Sequence, residues 1–130
     1  MTSNQASAWL LAELRLALPG VGDRIFPDAA PEGTGNPCAI YQAIDGENDS
    51  RLDAGEETKG FIAYQVRLYA TTRKAANYLR QSLRTALTNR EPADLPGWRL
   101  TGTAYANGED TFDPKLKEYG ATCLVEVHGE

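Results

Sequence analysis

Residues 60–89 read GFIAYQVRLYATTRKAANYLRQSLRTALTN, from Gly60 to Asn89, and the spacing of the apolar side chains changes partway along. Ile62, Tyr64, Val66 and Leu68 alternate with Phe61, Ala63, Gln65, Arg67 and Tyr69. Apolar, β-branched and aromatic residues at period two predict a strand. One face is wholly apolar and belongs against a core. The other turns polar toward its end, which suits a sheet with one wet or partner-facing side. From Ala76 the step becomes three and four: Ala76, Leu79, Leu83, Ala86 and Leu87 form one helical stripe. Thr71 or Thr72 is placed to cap that helix, because a hydroxyl accepts from the unpaired N–H groups of a first turn. Arg73, Arg80 and Arg84 fall on another face. A strand running straight into an amphipathic helix predicts a sheet-plus-helix layer.

Upstream, Gln5–Leu18 carries Leu10, Leu14 and Ala17 on one face, with Asn4 or Ser3 as cap and Pro19-Gly20 as stop. Val21–Pro37 is a connector interrupted by proline and glycine, with Arg24-Ile25-Phe26 as a brief extended segment before Pro27. Cys38–Ile44 predicts a strand, with Cys38, Ile40 and Ile44 on one side and Ala39, Tyr41 and Ala43 on the other. Asp45–Lys59, DGENDSRLDAGEETK, joins it to the central strand, so the two form a hairpin with a long acidic tip. Loops of that length without their own structure are commonly functional. Downstream, Arg90–Gly97 is a proline-rich turn. Trp98–Ala106 is a strand with Trp98, Leu100 and Ala104 on one side and Arg99, Thr101, Thr103 and Tyr105 on the other. Asn107–Lys117 is a polar loop. Glu118–His128 is the last strand, with Leu124 on one side and Cys123, Val125 and Val127 on the other. The expected fold is α+β in the order α-β-β-α-β-β: a four-stranded, mainly antiparallel sheet with two helices on one face.

At 130 residues the chain is expected to be a single domain, 1–130, large enough to bury a core. Its net charge of −5 speaks against binding nucleic acid by phosphate neutralisation. No apolar run approaches the roughly 20 residues a bilayer span needs, so no membrane role is expected. The N-terminus shows no basic region followed by an apolar stretch, which makes a cytoplasmic chain the default. Cys38 and Cys123 read as small buried hydrophobes rather than a disulfide.

Catalytic chemistry finds little to work with. The one histidine, His128, sits next to the end of the sequence and reads as exposed and idle. No Cys/His spacing suits zinc, and Gly20 and Gly22 lack the Lys-Ser/Thr that ends a phosphate loop. Asp45, Glu47 and Asp49 alternate as calcium ligands do, but Ser50 stands where an EF-hand needs glycine. Glu56-Glu57 lies in a loop that would hold an acid–base pair poorly. No cofactor, metal or enzymatic activity is expected. The charges point instead to contacts between proteins: an acidic loop of Asp45, Glu47, Asp49, Asp53, Glu56 and Glu57, with Arg51 and Lys59, and a basic face of Arg67, Arg73, Arg80 and Arg84. Opposite charges on separate patches of one chain suit head-to-tail association.

The run VGDRIFPDAAPEGTGNPCAIYQAIDG, with its Arg-aliphatic-aromatic-Pro start, Ala-Pro in the loop and Pro before an aliphatic-Tyr strand, resembles a recurrent pattern. So do YATTRKAANYLRQSLRTAL and the late FDPKLKEYGATCLVEV. Over nearly its whole length the chain is similar to the small tail-completion, or tail-terminator, proteins of long-tailed bacteriophages and prophages. That resemblance implies a structural, head–tail joining role in the virion, with host cytoplasm as the place of assembly. It implies a ring, usually hexameric, on the head-proximal end of the tail tube, the free chain being a monomer or already a ring. The partners it implies are further copies of the chain, the tail tube protein and the head connector. DNA passes through the lumen without specific binding, and an acidic lumen would let it slide. A small α+β module binding a peptide or small molecule is the competing expectation.

Overall fold

A computed structural model describes residues 1–44 and 59–130. The elements are α1 (Ser3–Ala17), β1 (Ile25–Pro27), β2 (Cys38–Ala43), β3 (Phe61–Ala70), α2 (Arg73–Leu87), β4 (Ala93–Leu95), β5 (Trp98–Asp113) and β6 (Glu118–Gly129). They form one six-stranded sheet, in the order β1-β2-β3-β6-β5-β4, curled into a half-barrel with two helices.

This corrects the four-stranded, mainly antiparallel sheet and its α-β-β-α-β-β order. The sheet is mixed, because β1 pairs with β2 in parallel, and the order is α-β-β-β-α-β-β-β. Both extra strands are three residues long, too short for an alternation to show in sequence. β1 ends on Pro27, which as an edge residue needs no ladder donor. β4 lies inside what reads as a proline-rich turn. Pro96-Gly97 is the two-residue connection that folds it onto β5, pairing Leu95 with Trp98, and Gly97 supplies the positive φ of 83°.

α1 starts earlier than its sequence suggests. Thr2 is the cap, and its hydroxyl accepts from the Gln5 N–H while the Gln5 side chain accepts from the Thr2 N–H. That reciprocal pair is a capping box. Thr72 caps α2 by accepting from Ala75 N. Asn89, just past the end of α2, takes the left-handed conformation that a helix terminus favours.

The core lies between the helices and one face of the sheet. Ile62, Tyr64, Val66 and Leu68 of β3 are all buried, as are Cys123, Val125 and Val127 of β6. Leu10 and Leu14 of α1 and Ala76, Leu79, Leu83 and Leu87 of α2 join the same cluster. In β2, Ala39 and Tyr41 belong to this cluster, while Cys38 and Ile40 are buried on the opposite face. The parallel β1–β2 pair requires the chain to return to the same end of the sheet. The 28–37 connector makes that return over the outer face, where it walls in Cys38 and Ile40.

β5 departs most from its sequence pattern. It runs on to Asp113 through residues that read as a polar loop. Its register shifts between Leu100 and Gly102, and again between Asn107 and Asp110. A bulge puts two residues opposite one and reverses which side chains face inward. Leu100 and Thr103 are therefore both buried, and Ala104 is exposed.

Candidate functional site

The basic face of α2 divides in two. Arg73 and Arg80 turn back onto their own chain. Arg73 donates to the Gly120 carbonyl at 2.7 Å and to the Thr111 carbonyl, and lies over the Tyr119 ring at 5.3 Å. Arg80 pairs with Asp110 at 2.8 Å and donates to the carbonyls of Gly108 and Thr122 at 3.3 and 3.4 Å. Asp110 also lies 3.7 Å from Arg73. These carbonyls flank the second bulge, where the ladder is interrupted. The two guanidiniums supply donors to those carbonyls. Arg84 is exposed.

The other half of that face points outward. Lys74, Asn77, Tyr78, Gln81, Arg84 and Thr85 are exposed and recur at helical spacing. Tyr78 is 72% exposed. Beside it an apolar cavity of about 610 Å³ opens between the end of α1 and the start of α2, lined by Leu18, Pro19, Pro37, Ala70, Ala75 and Leu79 among others.

On the outer face of the sheet, Arg67 stands between two hollows of about 640 and 570 Å³. Its Nη2 donates to the Asp28 carbonyl at 3.1 Å. Its Nε is buried and meets no acceptor among the described residues. Toward the other end, Ile44, Phe61 and Leu124 are exposed apolar side chains. His128 is less idle than its position in sequence suggests: it stacks on Phe61, centroids 5.2 Å apart, and its Nε2 lies 2.9 Å from Glu126 Oε1.

The structure thus holds Arg67, Arg73, Arg80 and Arg84 on two different surfaces, with Arg67 on the sheet and the others on α2. Asp45, Glu47, Asp49, Arg51, Asp53, Glu56 and Glu57 lie outside the described residues. Lys59 is described; its N–H donates to the Met1 carbonyl at 2.8 Å. Sequence reading missed Asp110, the residue that joins Arg73 and Arg80. Its only local signal is an acid in a segment taken for loop.

Among the described residues no cluster of His, Cys, Asp and Glu is placed to hold a metal, and no helix is long and apolar enough to cross a membrane. Both cysteines are free and buried. Burial raises the Cys123 thiol to about 11, with Tyr105 and Arg80 pulling weakly the other way. Burial also raises the Tyr105 phenol, with Cys123 adding to the rise. Groups held in their neutral forms inside a core point to packing.

Residues 8–127 match the family model described as Tail completion protein gp17. The chain belongs to that family. It is a structural protein of a phage-type tail, and so a component of a phage-like virion. Its fold recurs in a chain of the virion of a native gene transfer agent particle, with a TM-score of 0.60 and 15% identity, over 93% of this chain and 91% of that one. No curated protein matches the sequence.

Proposed function

We propose that the protein caps the head-proximal end of the tail tube as a ring, usually hexameric, ends tube polymerisation there and presents the surface on which the head connector docks. Membership of the tail-completion family over residues 8–127 carries this reading. The recurrence of the fold in an assembled virion supports it. Its direct partners are further copies of the chain, the tail tube protein and the connector, and DNA passes through the lumen without specific contacts. The protein acts by assembly and not by catalysis, in the virion after assembly in the host cytoplasm.

We assign the acidic loop of Asp45, Glu47, Asp49, Arg51, Asp53, Glu56, Glu57 and Lys59 to axial or subunit contacts, with its carboxylates repelling DNA at the lumen. Of the basic face of Arg67, Arg73, Arg80 and Arg84, the exposed Arg84 is best placed to meet another subunit, since Arg73 and Arg80 already hold Asp110 and Arg67 donates to the Asp28 carbonyl. The competing binding-module reading draws on the apolar cavity beside Tyr78, but that reading does not account for the family match.

Light scattering on a sizing column, over a concentration series with and without the tail tube protein, tests this function. A ring-sized species, or a monomer that binds tube ends, is expected. A monomer at every concentration that leaves tubes untouched would overturn it.

A further inference from the structure

Two surfaces of the described chain lack a covering layer. One is the open end of the outer sheet face, where Ile44, Phe61 and Leu124 are exposed beside Ala104 and Ala106 of β5. The connector 28–37 covers only the opposite end, around Cys38 and Ile40. The other is the outward stripe of α2, centred on Tyr78.

We propose that these two surfaces meet between neighbouring copies: α2 of one protomer lies across the β3–β6–β5 outer face of the next. The proposal rests on the ring reading above and adds which surfaces close the ring. The occupant is argued from charge. α2 carries Arg73, Lys74, Arg80 and Arg84 and no acidic residue, in a chain whose net charge is −5. Arg73 and Arg80 are engaged with Asp110, which leaves Lys74 and Arg84 facing outward.

The outer face has the opposite sign. Registered pairing places Glu126 beside Ala63 and Ala104. Glu109 and Glu118 line the hollows on either side of Arg67, the one basic side chain lining them. A basic helix on an acidic-rimmed, apolar-centred sheet is complementary in potential as well as in layer. The small side chains of Gly102, Ala104 and Ala106 on β5, opposite His128, Glu126 and Leu124, let a helix approach closely. Two α2 stripes facing each other would oppose like charges, as would two outer faces. Because α2 packs on the inner face, the two surfaces lie on opposite sides of the sheet and one neighbour cannot take both; two-fold pairing is therefore disfavoured, and a heterologous contact, the kind that closes into a ring, is favoured.

The test uses Tyr78→Cys and Leu124→Cys, mixed as single variants and oxidised mildly, alone and with the tail tube protein. The native cysteines are buried. The mixed adduct is expected to exceed either homodimer at least tenfold, and the double variant to give a ladder that stops at the ring size. Arg84→Glu is expected to lower the mixed adduct about tenfold, and Glu126→Lys on the opposing chain to restore it. Homodimers in equal yield, or a charge reversal without effect, would overturn the contact. If light scattering shows rings while the mixed adduct is absent, this contact fails and the ring reading stands. A chain that stays single with and without tubes overturns both.

Discussion

The hydroxyl of Thr103 donates to the Leu87 carbonyl and accepts from the Arg90 N–H at 3.1 Å. It thereby closes the last turn of α2 onto β5. It is the one polar residue buried among the described core residues. Thr103→Val keeps the shape and removes both bonds, so it is expected to cost about 1–3 kcal/mol, because buried partners left unpaired carry a desolvation penalty. Urea unfolding reads this, and Thr103→Ser is expected to recover most of the loss. Strict alternation sets Thr103 on the side opposite Leu100, yet both are buried. Thr103 faces inward because the bulge at Gly102 changes the register, and a single extra residue leaves no mark on composition or spacing. Cys123 gives the pH expectation. Its thiol titrates at about 11 in the fold, against 9.0 for the ordinary group, chiefly through burial. The unfolded chain loses that proton first. The stability Cys123 contributes is therefore complete below pH 9 and declines as pH rises from about 9 to about 11. Stability that failed to fall in that window would contradict the burial of the thiol.

At the scale of elements, α2 was the most legible. Of its stripe, Ala76, Leu79, Leu83 and Leu87 are buried and Ala86 is partly buried against the same core, since a long amphipathic period identifies itself. Thr72→Ala is expected to cost about 1 kcal/mol, the usual value of an N-cap, and Leu83→Ala about 2–5 kcal/mol, the transfer and cavity cost of a buried leucine. The β5–β6 hairpin was far less legible. Its outer half is stabilised by Arg73, Arg80 and Asp110, and such a tie between distant segments has no local signature. Arg80→Ala is expected to speed amide exchange around Gly108 and Thr122 more than Asp110→Ala does. The arginine serves two carbonyls besides the carboxylate, whereas a half-exposed ion pair alone is worth only about 0–1 kcal/mol. Equal exchange in the two variants would contradict this division of roles. β1 shows in the sequence only as the brief extended segment Arg24-Ile25-Phe26, and β4 not at all, for another reason: three residues cannot display a period, and each pairs along the edge of a longer strand.

For the molecule as a whole, the family was readable because order and pattern extend over nearly the entire chain. The surfaces were not, because Arg67 and the α2 arginines are neighbours in property but lie on different elements. Among the described residues, the six-stranded half-barrel with two helices leaves one end of a sheet face and one helix stripe uncovered, as a part made for assembly would. The most direct test is the length distribution of tail tubes, measured by electron microscopy as the tube protein polymerises with and without this chain. Tubes shortened in proportion to the added protein, each bearing density at one end only, are the expected result. Tubes of unchanged length with bare ends would contradict the account.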